Sequence, residues 1–199
     1  MCIRDSNTTG FSLSEDMQIL IVSFMVLIYS LYMYSRTKQI FQHIALFYSS
    51  IFFLGSIGNI IFPNIEPWAG GLFLIATGLI WGLYTFSKIL GPSWLGYLLA
   101  TSTISIGSII LIENLFGNNN LLKIILLIIG SVIFVWASIQ LSEQVIFYIG
   151  GLGLVINLPR LITELLPDNI WPPLILFLVG GVLVAVGLYL NSIRESLKN

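Results

Sequence analysis

The chain consists almost entirely of apolar stretches of about twenty residues, separated by short breaks that carry charge, proline or asparagine. A helix rising about 1.5 Å per residue needs about 20 such residues to cross the ~30 Å hydrocarbon layer of a membrane. Backbone N–H and C=O groups must be paired inside hydrocarbon, so each stretch is predicted to be a transmembrane helix. The predicted fold is an all-α, polytopic transmembrane helical bundle of about seven helices. The spans run over 17–35, 41–62, 68–87, 93–113, 121–140, 144–162 and 172–193.

The composition agrees with lipid as the solvent. Hydrophobic residues make up 57% of the chain and charged residues 9%, against about 25% charged residues in an ordinary soluble domain. The net charge of −1 provides no basic surface for nucleic acid. The expected partners are therefore membrane lipids, together with other membrane proteins or further copies of the chain.

Three regions are expected: an N-terminal tail over 1–16, a transmembrane domain over 17–193 and a cytoplasmic tail over 194–199. Residues 1–6 resemble translated sequencing-adapter read-through, so we expect them to be a scar; if they are, the true N-terminus is missing from this sequence. Within the sixth span, Pro159 is expected to kink or end the helix.

Basic residues in the short loops predict the orientation, because cytoplasmic loops carry an excess of Lys and Arg. Placing the loop over 36–38 in the cytoplasm leaves Lys123, Arg160 and Arg4 on the other side. This count favours an external N-terminus and a cytoplasmic C-terminus. The basic residues placed in the cytoplasm are Arg36, Lys38, Lys88, Arg194 and Lys198.

Glycines recur at a nearly fixed interval. Gly78, Gly130 and Gly181 lie 52 and 51 residues apart, and a fixed period is the mark of a repeated structural unit. The pattern predicts three tandem helical hairpins, formed by spans 2–3, 4–5 and 6–7, plus one N-terminal helix. Since Leu, Ile and Gly are common in any membrane helix, a chance alignment is the alternative.

Small and hydroxyl-bearing residues are the expected packing contacts, because helices in lipid associate through close backbone approach and buried polar bonds. A polar permeation path is the alternative role for the hydroxyl residues of span 4, which are Thr101, Ser102, Thr103, Ser105 and Ser108. The predicted packing residues are Gly78, Gly82, Gly96, Ala100, Gly130, Gly181 and Ala185.

Polar residues in or near the spans are the candidate functional residues, because charge within a membrane is costly. Arg160 and Glu164 are spaced to form either a solvated interfacial pair or a ligand contact, and His43 is most simply interfacial. No HExxH, CxxC, paired intramembrane aspartates or P-loop occurs in the sequence. We therefore expect no enzyme activity, catalytic residue, metal or cofactor. The candidates are Arg160, Glu164, Asn157, Glu113, Asn59 and His43.

The run Trp-Pro-Pro-Leu-Ile-Leu-Phe-Leu-Val-Gly-Gly-Val-Leu-Val-Ala-Val-Gly-Leu-Tyr-Leu over 171–190 and the Arg194-Glu195 tail are similar to the C-terminal ends of predicted bacterial multi-span membrane proteins of unknown function. The resemblance covers mainly 144–199, and it implies residence in a membrane as a many-helix protein. We expect that membrane to be a prokaryotic plasma membrane. Two functions are compatible with these features. The preferred one is a non-enzymatic structural or interaction component; the alternative is a small transporter or channel for a neutral or lipid-like solute.

Overall fold

The computed structural model describes residues 15–61, 66–117, 119–165, 180, 181 and 192. These residues form an all-α structure of six helices, each long and apolar enough to cross a membrane. They contain 20 to 24 residues, or about 30–36 Å at 1.5 Å per residue. The helices are α1 (Glu15–Thr37), α2 (Ile40–Ile61), α3 (Pro67–Phe86), α4 (Ser93–Phe116), α5 (Asn120–Leu141) and α6 (Gln144–Leu165).

The described helices number six, so the predicted count of about seven is corrected to six for this part of the chain. The seventh predicted span, 172–193, lies outside the described residues except for Gly180, Gly181 and Ser192, which are helical. The tail over 194–199 and residues 1–14 also lie outside them.

Local side-chain chemistry sets the helix ends. Pro67 occupies the first position of α3, where its missing N–H costs nothing. The Asn119 side chain accepts a hydrogen bond from the Leu122 backbone N–H and so caps α5. The Gln42 side chain accepts from the Gln39 N–H just before α2. Ser142 ends α5 in the left-handed conformation, with φ of 54°.

Pro159 does not end the sixth helix, because α6 continues through it to Leu165. Of the two expectations for Pro159, a kink or an end of the helix, the second is therefore wrong. Proline removes one backbone hydrogen bond but leaves the others of the helix in place. In membrane helices such a loss is tolerated when neighbouring groups compensate for it.

The chain divides into two compact units, 1–64 and 65–199. In the first unit, α1 packs on α2. In the second unit, α3 packs extensively on α4 and α5 on α6, whereas α4 makes smaller contacts with α5 and with α6. The main packing partner of α4 is therefore α3. The prediction paired spans 4 and 5, which are α4 and α5, so the observed pairing is shifted by one helix from the predicted one.

Glycines allow α3 and α4 to approach closely. A Cβ added to Gly71 would lie 2.7 Å from the Gly107 carbonyl oxygen, and one added to Gly107 would lie 2.7 Å from the Gly71 carbonyl oxygen. A Cβ at Gly78 would lie 2.8 Å from the Ala100 carbonyl oxygen. These backbone contacts exclude any larger side chain, so the spacing of the two helices depends on glycine at these sites.

Substitution of Gly71 by alanine should destabilise the α3–α4 pair by about 1–3 kcal/mol, because the new methyl group would overlap backbone atoms. The adjacent Gly70 is the matched control, since a Cβ there has no neighbour within 4 Å. Gly70→Ala should be neutral or stabilise the protein by up to about 1 kcal/mol, through higher helix propensity. Unfolding of both variants in detergent micelles measures the difference, and equal effects would contradict this account of the packing.

Candidate functional site

A cleft of about 280 Å³ lies between α4, α5 and α6. We call it the inner cleft. Its walls are mainly apolar, and its polar lining consists of Ser105, Ser108, Ser131 and Asn157. It lies where α4, held closely against α3, meets the α5–α6 pair over a small contact. The looser junction between these two hairpins leaves space between them.

Asn157 is the most deeply placed amide lining the inner cleft, with only 8% of the residue exposed. Its side-chain N–H donates to the Gly153 carbonyl oxygen one turn earlier, at 2.8 Å. Within the described residues, no donor reaches the remaining atom, Oδ1. A buried acceptor left unpaired costs about 1–3 kcal/mol, and an amide oxygen can only accept hydrogen bonds.

The serine hydroxyls of the inner cleft differ in their bonding. Ser105 donates to the Thr101 carbonyl oxygen at 2.9 Å, and Ser131 donates to the Leu127 carbonyl oxygen at 2.8 Å. Such bonds to the preceding turn satisfy a hydroxyl without a second helix. The Ser108 hydroxyl has no hydrogen-bond partner in the described part of the chain. Among the described residues, Ser108 and Asn157 are therefore the lining residues with hydrogen-bonding capacity left over.

A second, more polar cleft of about 300 Å³ adjoins the first. We call it the outer cleft. It is lined by the last turns of α4 and α6 and the first turns of α5, and Leu127 belongs to the lining of both clefts. The outer cleft therefore lies beside the inner cleft, at one end of these helices. Its polar lining residues are Glu113, Asn120, Lys123, Arg160, Thr163 and Glu164.

Four charges line the outer cleft, and two of them are paired. Lys123 Nζ lies 3.3 Å from Glu113 Oε1. The lysine side chain is 14% exposed and the glutamate side chain 69% exposed, so the pair joins a covered ammonium to a solvated carboxylate. No ion pair joins Arg160 or Glu164 to another charge among the residues that the structure covers, and both are exposed. The i,i+4 pairing suggested by their spacing does not form.

The structure brings four of the six predicted polar residues together. Glu113, Arg160 and Glu164 line the outer cleft, and Asn157 lines the inner cleft. The other two lie on α2, in the first unit. His43 is fully buried, with its ring centroid 5.5 Å from that of Tyr34, and Asn59 is exposed.

The predicted packing residues have different surroundings. Gly78 and Gly82 lie against Ala100, and Gly96 lies against the Thr85 side chain. Gly130 lines the inner cleft, and a Cβ there would have no neighbour within 4 Å. Ala185 lies outside the described residues, as does almost all of the span around Gly181.

The close contact between α5 and α6 involves residues that the sequence reasoning missed. A Cβ at Gly150 would lie 2.9 Å from the Ser131 carbonyl oxygen, and Gly153 lies directly against the Ser131 side chain. Ser131 also lines the inner cleft, as Asn120 and Thr163 line the outer one. The sequence did carry a signal for Ser131. It is the one hydroxyl residue in the run over 121–135, in which every other residue except Lys123 and Gly130 is apolar.

The two clefts combine polar groups with apolar walls. In the ranges that the structure describes, no three His, Cys, Asp or Glu side chains are placed to hold a metal ion. The described lining residues offer hydrogen-bonding groups, one cation and one carboxylate outside any ion pair, and apolar side chains. This combination suits a molecule with a polar end and an apolar end.

Comparison with family models, curated proteins and solved structures gives no match for this chain.

Access from water should distinguish the inner cleft from the lipid-facing side of α4. In a background with Cys2→Ser, we expect Ser108→Cys to react severalfold faster with a water-soluble maleimide than Ile106→Cys. Ser108 lines the cleft that adjoins the polar outer cleft, whereas Ile106 is exposed on the apolar surface. A thiol reacts as the thiolate, which hydrocarbon disfavours. Equal labelling rates would contradict this access from water.

Proposed function

We propose that this multi-span membrane protein binds and moves a neutral or lipid-like solute through the clefts between α4, α5 and α6. The observation that carries the proposal is the buried Asn157 amide oxygen, which lines a largely apolar cleft and has no donor within the described residues. A polar group held at this depth without a partner is costly to the fold alone. A passing or bound solute that donates a hydrogen bond offsets that cost.

The arrangement of the polar groups supports movement along a path. Charges and amides line the outer cleft, hydroxyls and Asn157 line the inner cleft, and Leu127 borders both. The two serines of α4 that line the path are Ser105 and Ser108, while Thr101 and Thr103 are buried and donate to carbonyl oxygens of the preceding turn. Part of the hydroxyl series of α4 thus belongs to the route.

We place the protein in a prokaryotic plasma membrane, with its N-terminus outside and its C-terminus in the cytoplasm. The basic-residue count favours this orientation, and the bacterial resemblance of 144–199 favours this membrane. In this orientation the outer cleft opens to the external side. We further propose that the protein is not an enzyme and binds no nucleic acid, as its sequence and charge suggest.

The second candidate function is a structural or interaction component that associates with other membrane proteins or with itself. Gly55 and Gly58 on α2 favour it, because a Cβ at either would have no neighbour within 4 Å, and such positions admit a partner helix. The close seams of the second unit are already used within the chain: Gly71, Gly78 and Gly107 contact α3 or α4 itself. We therefore prefer the solute function.

An internal repeat also belongs to this proposal, in a frame that pairs α3 with α4 and α5 with α6. The first residues of α3 and α5, Pro67 and Asn120, lie 53 apart, and those of α4 and α6, Ser93 and Gln144, lie 51 apart. Both pairs are also the closely packed ones of their unit. The inner cleft then lies at the junction between two copies of one hairpin.

Transport through the inner cleft can be tested by filling it. We expect the purified protein in liposomes to accelerate the movement of a fluorescent short-chain lipid or of glycerol. Gly130→Leu should return the rate to near the protein-free value, because Gly130 lines the cleft and a Cβ there has no neighbour within 4 Å, so a larger side chain can occupy the space. Transbilayer lipid movement, read by dithionite quenching, and glycerol-driven swelling measure the two solutes.

Gly70→Leu is the matched control, because its Cβ also has no neighbour within 4 Å and Gly70 lines neither cleft. This variant should keep the wild-type rate. Absence of flux for both solutes in folded wild-type protein would reject the proposal. Stable co-purification of a membrane partner would then favour the interaction role.

The proposed orientation predicts opposite labelling of the two ends of the helices. In intact cells with Cys2→Ser, a membrane-impermeant maleimide should label Glu164→Cys, in the outer cleft, and should not label Lys88→Cys, in the break between α3 and α4. Labelling of both positions after cell lysis is the control. The reverse pattern would invert the orientation.

A further inference from the structure

The charges of the outer cleft are balanced in an unusual way. Lys123 and Glu113 neutralise each other across 3.3 Å. Arg160 and Glu164 line the same cleft, one turn apart on α6, and neither forms an ion pair among the described residues. Counted over the described residues, the lining of the outer cleft therefore has no net charge and presents one guanidinium and one carboxylate outside any ion pair. This is the complement of a zwitterion rather than of an anion.

A guanidinium binds phosphate oxygens through paired, charge-assisted hydrogen bonds, and a carboxylate binds an ammonium group. Both partners are present in a head group that carries a phosphodiester and a primary amine. A purely anionic head group would satisfy Arg160 but would place a second negative charge close to Glu164. The arrangement thus discriminates by repulsion as well as by attraction.

The position of Asn157 adds a requirement for the part of the ligand that lies deeper in the membrane than its head group. Asn157 precedes Arg160 by three residues on α6, so it lies about 4.5 Å deeper along the helix axis. An amide oxygen only accepts hydrogen bonds, and the Oδ1 of Asn157 has no donor in the described part of the chain. A ligand that satisfies it needs a hydroxyl or N–H just below its phosphate. The glycerol of a diacyl phospholipid offers only ester oxygens there, whereas a monoacyl phospholipid carries a free hydroxyl.

The size of the inner cleft agrees with a single chain. Its volume of about 280 Å³ lies just below the ~300–1,000 Å³ typical of small-molecule pockets. Its lining is mainly apolar, with Ile104, Leu126 and Phe134 among the residues. One acyl chain against these side chains leaves little space for a second.

We propose that the solute is a monoacyl glycerophospholipid with a zwitterionic, amine-bearing head group, an inference that rests on the solute function proposed above. Arg160 binds the phosphate and Glu164 binds the ammonium. The Asn157 oxygen accepts a hydrogen bond from the free glycerol hydroxyl, and Ser108 lines the same cleft. The acyl chain occupies the inner cleft.

Binding to the purified full-length chain, followed by native mass spectrometry, tests this assignment with four probes. They are monoacyl phosphatidylethanolamine, the same lipid with its glycerol hydroxyl methylated, monoacyl phosphatidylglycerol and diacyl phosphatidylethanolamine. We expect the first to bind most tightly. Methylation should weaken binding about tenfold, because it leaves the buried Asn157 oxygen unpaired.

Two substitutions separate the head-group contact from the hydroxyl contact. Glu164→Gln should abolish the preference for the amine head over phosphatidylglycerol, whereas Glu143→Gln, the matched change in the break between α5 and α6, should leave it intact. Asn157→Leu should make the methylated and unmethylated lipids bind equally. Thermal unfolding of each variant in the same detergent shows that it is folded.

The outcomes distinguish the two proposals. Equal binding of monoacyl and diacyl lipids, no effect of methylation, or a head-group preference unaffected by Glu164→Gln would overturn the ligand assignment while transport in liposomes still stands. Binding of none of the four lipids, together with no flux of either solute, would overturn the proposed function itself.

Discussion

The structure depends on how helices hold together when lipid, not water, surrounds them. Hydrocarbon tails are as apolar as leucine, so the hydrophobic effect gives no preference for one helix pair over another. That preference has to come from close approach of the helix backbones. Glycine allows such approach at Gly71, Gly78 and Gly107 between α3 and α4 and at Gly150 between α5 and α6. Where such contacts are few, as between α4 and the α5–α6 pair, the junction is open, and the clefts lie there.

The same solvent gives unusual weight to a few polar atoms. Most hydroxyls in the described helices bond to a carbonyl oxygen of their own preceding turn, as Thr77, Thr85 and Thr103 do. These side chains are self-sufficient and need no partner helix or ligand. The Asn157 oxygen and the Ser108 hydroxyl differ from them in this part of the chain, and both line one cleft. Because both residues line the inner cleft, we regard this cleft as a candidate binding site.

The sequence predicted the helical architecture well, because the period and length of an apolar run depend only on local chemistry. It could not predict which glycine meets a neighbour: Gly78 contacts α4, whereas Gly130, its counterpart in the proposed repeat, borders open space. A helix contact depends on the residues of both helices, and one sequence shows only which residues could take part in such a contact. For the same reason the Glu113–Lys123 pair, ten residues apart on two helices, was not foreseen. Ser131 was overlooked because one hydroxyl in an apolar run carries little signal.

Pro159 separates two parts of α6 that have different surroundings. Before it lie Gly150 and Gly153, which pack against α5, and after it lie Arg160 and Glu164, which line the outer cleft. The proline ring lacks the N–H that would bond to the carbonyl of residue 155, so one backbone hydrogen bond is missing between these two parts. The contact with α5 and the charged lining of the outer cleft are therefore joined by a stretch of helix with one backbone hydrogen bond fewer than a regular helix has.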